Sequence, residues 1–169
     1  MSQEILDSLP YVHDLIADWR SIRDEMNLVS AREYGPATAT YLYRPGGWQV
    51  ANLCTFYAWN GSLREVCPIT TKLVSAFPGV VNAKFSRMNP RTRVQPHSGV
   101  QAYAYPVSRL HLGLRVPPNC GICVGDQTFH WSEGECFIFD DSVEHYAWNL
   151  SDEVRSILIV DFKAPYFDS

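Results

Sequence analysis

The side chains in this 169-residue chain best suited to chemistry cluster in its second half. They are His97 in Pro96-His97-Ser98-Gly99, Arg109 and His111 in Arg109-Leu110-His111-Leu112-Gly113-Leu114, His145 after Asp140-Asp141-Ser142-Val143-Glu144, and Arg155 at the head of an apolar run. Neutral imidazole is the commonest protein metal ligand, and a guanidinium is shaped to hold a carboxylate through two parallel hydrogen bonds. His97 and His145 stand 48 residues apart, each at the edge of a strand-like run. That separation suits ligands brought together by a β-barrel, not by neighbouring turns of one helix. Either histidine alone is more often structural than metal-binding. The pair, with two arginines and a third histidine nearby, points to a metal site.

Strand alternation then assigns faces. Arg109 and His111 share one face, and Leu110, Leu112 and Leu114 the other. If the leucines pack outward under a helix, Arg109 and His111 line a barrel interior; on a solvated sheet the same pair would be ordinary. Arg155 shares its face with Ile157 and Ile159. There a guanidinium is costly unless an anion joins it, the alternative being a rim arginine in water.

The elements that must position these groups are mostly strands. Short apolar or alternating runs at residues 81–88, 109–116, 121–124, 128–131, 135–139, 146–149 and 155–162, separated by turn residues, predict a sandwich or barrel. Residues 48–59 read as a strand or strand pair with Asn60-Gly61 as a turn, and Pro68 onward as a short helix ended by Phe77-Pro78-Gly79. At the N-terminus, Tyr11, Leu15, Trp19, Ile22 and Met26 follow helical spacing, which predicts one helix over about residues 9–27, packed against a sheet. His13 has no neighbours to complete a site. No internal repeat or linker divides the chain, so residues 1–169 are expected to form a single domain with its core at about 48–165.

Composition narrows the function. The net charge of −4 argues against a nucleic-acid partner, and no apolar run approaches the length of a membrane span. Met1-Ser2-Gln3-Glu4 lacks the pattern of a secretory signal, so a cytoplasmic protein is expected. The five cysteines, an odd number, suggest reduced thiols. Cys120 and Cys123 have the spacing of a zinc half-site, but no second half accompanies them.

The stretch resembles the aspartyl/asparaginyl β-hydroxylase family of Fe(II)/2-oxoglutarate dioxygenases. The residues that carry the likeness are Lys84-Phe85-Ser86-Arg87-Met88-Asn89-Pro90, Pro96-His97-Ser98-Gly99, Arg109 to Leu114, Trp131-Ser132-Glu133-Gly134-Glu135, Phe139-Asp140-Asp141-Ser142, Glu144-His145 and Arg155, with weaker agreement from Trp48. The resemblance implies a mainly β double-stranded β-helix, a jelly-roll or cupin-like barrel, with the N-terminal helix packed on it. It implies Fe(II) held by His97 and His145, 2-oxoglutarate as cosubstrate and O₂ as oxidant. Arg155 and Ser86 would hold the distal carboxylate of 2-oxoglutarate. Met88 would line its pocket, and Arg109 and His111 would approach its other end and the substrate. Asp141 would lie near the substrate or behind the metal ligands.

The implied reaction is hydroxylation of a C–H bond in an amino acid, peptide or small metabolite, with succinate and CO₂ released. The common third ligand, a carboxylate two residues after the first histidine, is here Gly99, as is characteristic of this family. Val107 stands where relatives carry an arginine that helps bind an acidic substrate, and Tyr103 and Tyr105 lie in a longer connection; these residues point to a different substrate pocket. Two alternatives accompany this expectation. Room beside Gly99 would admit chloride and halogenation, and a cupin-like module could bind a ligand without turnover.

Overall fold

Alternating polar and apolar residues build two antiparallel sheets in the computed structural model, which describes residues 9–99 and 107–163. The larger sheet has seven strands among the described residues. Its order is β1 (Gly35–Pro36), β2 (Trp48–Thr55), β4 (Val80–Met88), β11 (Arg155–Lys163), β6 (Val107–Arg115) and β9 (Cys136–Asp140), with β3 (Ala58–Trp59) paired to β2. The smaller sheet runs β5 (Thr92–His97), β10 (His145–Asn149), β7 (Cys120–Val124) and β8 (Gln127–Phe129). From β4 to β7 and again from β8 to β11 the chain passes from one sheet to the other at each connection, the winding of a double-stranded β-helix. Ile122 and Val124 of the smaller sheet pack against Ile157, Ile159 and Phe139 of the larger one, which closes the barrel.

The leucine face does point outward. Leu110, Leu112 and Leu114, with Phe85, Leu158, Val160 and Phe162, are buried against Val12, Leu15, Ile22 and Met26 of the N-terminal helices. Each fully buried leucine contributes roughly 1.5–3 kcal/mol, so this layer between helices and sheet is the main hydrophobic core. The helical segment is two helices, not one: α1 (Pro10–Ala17) and α2 (Trp19–Leu28) meet at Asp18, whose backbone leaves helical geometry at φ −100°, ψ 16°. Glu25 of α2 is buried and accepts hydrogen bonds from the N–H groups of Ile69 and Thr70 at 2.8 Å and from the Thr70 hydroxyl at 2.7 Å. Its negative charge meets the N-terminus of α4 (Pro68–Ser75), where backbone donors lack helical partners.

Two further local expectations change. Asn60-Gly61 is not the hairpin turn: the Asn60 side chain accepts from Leu63 N–H at 3.3 Å and caps α3 (Gly61–Val66). The β2–β3 turn is made instead by Phe56 and Tyr57, at φ 45° and 69°. Cys120 and Cys123 stand on opposite faces of β7. The Cys120 thiol reaches Asn149 Oδ1 at 3.2 Å, while Cys123 lies 3.5 Å from the Gly125 carbonyl. A shared zinc is therefore ruled out by geometry, and all five cysteines are free thiols. No helix among the described residues is long and apolar enough to cross a membrane.

Candidate functional site

A β-bulge aims His97 into the barrel. His145 pairs with His97 and Ala147 with Val94, so β5 carries one residue more than β10 over this interval. The exposed Arg93 and Gln95 show the outward face; strict alternation would make His97 continue it, and the bulge turns His97 inward instead. Pro96, which has no N–H to give the ladder, sits in the bulge. The two imidazole rings lie side by side with centroids 4.4 Å apart. Each Nδ1 is 2.8 Å from a backbone carbonyl, Gln95 O for His97 and Val143 O for His145. A carbonyl only accepts, so both Nδ1 atoms carry hydrogen, and Nε2 is the atom left to offer a lone pair to a metal. Burial lowers the His145 pKa to about 4, so that ring is neutral at pH 7. Among the described residues no set of three His, Cys, Asp or Glu side chains converges on one point.

From these rings a narrow cavity runs between the sheets to Arg155, lined also by Trp48, Ser86, Met88, Arg109, His111 and Trp131. Arg155 heads β11 and is only 2% exposed, yet no ion pair among the described residues involves it. Its Nη1 lies 3.5 Å from Ser86 Oγ, its guanidinium sits 4.5 Å over the Trp131 ring, and its Nε has no hydrogen-bond partner. Burial lowers its pKa to about 10, which still leaves it charged at neutral pH. Ser86 is fixed by Trp48 Nε1–H at 2.9 Å.

His111 is the second unsatisfied donor here. Trp131 Nε1–H donates to His111 Nδ1 at 3.3 Å, and His111 Nε2 is buried without a partner. Burial first, then the charges of Arg109 and Arg155, push its pKa well below the ordinary value, so the ring is neutral with hydrogen on Nε2. Buried donors left unmade cost about 1–3 kcal/mol each. Arg155 and His111 thus bring two unmade donors, one of them charged, into one cavity, a donor set suited to an acceptor.

Arg109 differs from Arg155. Asp161 accepts from its Nε at 2.6 Å and from its Nη2 at 2.9 Å, and Asp141 pairs with its Nη1. Burial opposes the charge on Asp161, but Arg109, Lys84 and Asn82 outweigh it and lower its pKa. For Asp141 burial wins over Arg109 and the pKa is raised. Asp141 Oδ1 lies 3.6 Å from His145 Nε2. Gly99 N–H donates to Asp141 O at 2.7 Å, and a Cβ on residue 99 would collide with the Asp141 carboxylate. The room expected beside Gly99 is thus filled by Asp141, which removes the geometric ground for a chloride there.

Seven expected residues meet around this cavity: His97, His145, Ser86, Met88, Arg109, His111 and Arg155. Asp141 borders it through Arg109 and His145. Val107 begins β6 and is buried, beyond the residues that line the cavity. Tyr103 and Tyr105 lie outside the described residues. Asp161, Lys84, Trp48 and Trp131 join the site without a role that the sequence assigns them. Alternation gives a usable signal for two of them, since Lys84 falls in step with Ser86 and Asp161 with Arg155.

Comparison with known proteins decides the lineage. Residues 16–165 match the sequence profile described as aspartyl/asparaginyl beta-hydroxylase. The chain belongs to the aspartyl/asparaginyl β-hydroxylase family. It is 34% identical to the ornithine lipid ester-linked acyl 2-hydroxylase of Rhizobium tropici, over 94% of this chain and 59% of that protein. It is also 34% identical to the human aspartyl/asparaginyl beta-hydroxylase, over 91% of this chain and 21% of that protein. The chain thus spans about three-fifths of the first relative and about a fifth of the second. Among solved structures, a predicted oxalate decarboxylase from Thermotoga maritima aligns with a TM-score of 0.50 at 12% identity, over 80% of this chain and 98% of that one. The plu4264 protein of Photorhabdus luminescens gives 0.51 at 12% identity, over 80% and 84%. At such identity these two likenesses speak for the barrel alone.

Proposed function

We propose that this chain is an Fe(II)/2-oxoglutarate-dependent hydroxylase. The observation that carries the reading is the polarity of one cavity. Two imidazoles whose Nδ1–H groups are held by carbonyls, leaving Nε2 for a ligand, stand at one end, and a buried guanidinium without an ion pair among the described residues, with an unsatisfied His111 Nε2–H, at the other. The first end suits a divalent transition metal and the second a carboxylate, so a small dicarboxylate spanning the two fits the donor set.

His97 and His145 would hold the iron. Their Nδ1–H bonds to Gln95 and Val143 keep both rings in the ligating tautomer. Arg155 and Ser86 would bind the distal carboxylate of 2-oxoglutarate, with His111 donating from Nε2 and Met88 closing the wall. When bound, iron, 2-oxoglutarate and O₂ supply the oxidising power that hydroxylates a C–H bond, with succinate and CO₂ as coproducts. The protein binds, orients and excludes water. Asp141, held by Arg109, stands beside His145 Nε2, on the side of the ring where a third ligand is missing.

For the substrate, the relatives' names point to an amino-acid residue in one case and a lipid acyl chain in the other. Here Arg109 is already gripped by Asp161 and Asp141. That favours a neutral carbon chain of an amino acid, peptide or lipid over an acidic side chain. The test is anaerobic calorimetry of 2-oxoglutarate into the Mn(II)-loaded protein, followed by succinate measurement with Fe(II) in air. Binding should need the metal and vanish in His97→Ala and His145→Ala. Metal-independent binding with no succinate would leave a ligand-binding module instead.

A further inference from the structure

We propose that Trp131 is a positioning residue for the 2-oxoglutarate end of the cavity, setting the hydrogen-bonding form of His111 and the plane of Arg155 at the same time. The inference rests on the reading of that end as a carboxylate site.

Indole is a donor only. With Trp131 Nε1–H directed at His111 Nδ1 from 3.3 Å, the imidazole must keep its lone pair on Nδ1 and its hydrogen on Nε2. That hydrogen is the one left without a partner inside the cavity. The opposite tautomer would turn a lone pair towards the same space and repel a carboxylate. The two rings are stacked, 5.9 Å apart at 27°. The Trp131 ring also lies beneath the Arg155 guanidinium, 4.5 Å from its centroid, the usual geometry of a cation on an aromatic face. Arg155 has no carboxylate to hold its fork in plane, so this face and Ser86 orient it.

Trp131 precedes the turn 132–134, which is bound tightly to β6. Gly113 N–H donates to Glu135 O at 3.0 Å, and Gly134 N–H donates to Gly113 O at 2.9 Å. Gly113 lies two residues after His111, and a Cβ there would strike the Ser132 carbonyl. The absent side chain lets the turn approach, and the approach brings the indole to His111.

The test uses the Mn(II)-loaded protein and 2-oxoglutarate, read by anaerobic calorimetry. Trp131→Phe keeps the ring and loses the N–H; its Kd should rise about 3- to 10-fold, the size of one net hydrogen bond. Trp131→Leu loses the ring as well and should raise Kd further, to on the order of 30-fold. In a His111→Ala background, Trp131→Phe should add nothing, because its effect passes through His111. The same rise in both backgrounds, or a wild-type Kd in Trp131→Phe, overturns the proposal. Nitrogen chemical shifts of labelled histidine in the unaltered protein test it without any variant having to fold. They should show His111 protonated at Nε2 only, and hydrogen on Nδ1 overturns the proposal. If wild-type protein fails to bind 2-oxoglutarate, the carboxylate reading falls and this role with it, an outcome distinct from intact binding that is insensitive to Trp131.

Discussion

The Asp141 carboxylate lies where any side chain on residue 99 would have to go. Glycine at 99 is therefore half of a pair: it lets Asp141 stand between Arg109 and His145. Restoring the common third ligand by Gly99→Asp looks, from spacing alone, like a way to tighten iron binding. The structure points to the reverse. Gly99→Asp, and even Gly99→Ala, should drive Asp141 out and lower succinate formation by at least about tenfold, the usual cost of disturbing a metal's supporting shell. Retained activity in Gly99→Ala would show that Asp141 has no such part.

Arg155 offers a test in which stability and binding move apart. A charge-assisted contact is worth roughly 1.5–3 kcal/mol, so Arg155→Met should weaken 2-oxoglutarate binding about ten- to hundredfold. Arg155→Lys should fall between, since it keeps charge without the fork. Without ligand, however, the methionine variant should melt at or above the wild-type temperature, because an unpaired buried charge has been removed. A clear drop in its ligand-free Tm would mean that the guanidinium is already satisfied.

The bulge in β5 gives a backbone test of the metal end. Deleting Gln95 should regularise the pairing with β10 and leave His97 two residues from Val94, on the same inward face, but it removes the carbonyl that accepts from His97 Nδ1. Mn(II) affinity, followed by electron paramagnetic resonance, should fall by roughly 10- to 100-fold, the loss typical of an outer-shell partner. The circular-dichroism spectrum should remain that of a β-rich protein. Unchanged affinity would show that the Gln95 carbonyl does not support His97 as a ligand.

Alkaline pH should reveal the helix-covered core. Burial pushes the Cys67 and Cys136 thiols up from 9.0 to about 12, and the Tyr34 hydroxyl up from 10.0 to about 12. Below about pH 8 all three groups are essentially neutral in both folded and unfolded chains and give almost no slope. Between pH 9 and 12 the unfolded chain releases these protons while the folded one keeps them, so stability falls as pH rises. Urea midpoints measured across this range should decline, and Cys67→Ala should flatten the decline. A midpoint constant to pH 11 would show these groups ionising freely in the native protein.

Much of this site could be read before the fold was known, and the parts that could not have physical reasons. The strict alternation from Arg109 to Leu114 states two faces, and β6 realises both. Alternation puts Asp161 on the face of Arg155, but nothing nearby names its partner, because Arg109 is 52 residues away. The break at Asp18 is hidden because the apolar spacing from Tyr11 to Met26 runs through it. Asn60-Gly61 has the chemistry of a turn but also of a helix cap, and only the position of Leu63 decides. Phe56 and Tyr57 carry no turn signal, yet backbone bonds to Asn82 Oδ1 and Val81 O hold them at positive φ. Trp131 reads as a core aromatic until its N–H is seen on His111.

The outward-turned leucines also bear on how this scaffold can diverge. On β6 and β11 the even-numbered residues Leu110, Leu112, Leu114, Leu158 and Val160 anchor the sheet to the helices, while the odd-numbered Arg109, His111, Arg155 and Asp161 face the barrel interior. On β4 the parity is reversed, with Ala83 and Phe85 anchoring and Ser86 and Met88 lining the cavity. Foundation and chemistry therefore use the same strands but separate columns of residues. A lineage, or a designed library, can rewrite the inner column towards a new substrate and leave the helix-bound column holding the barrel together.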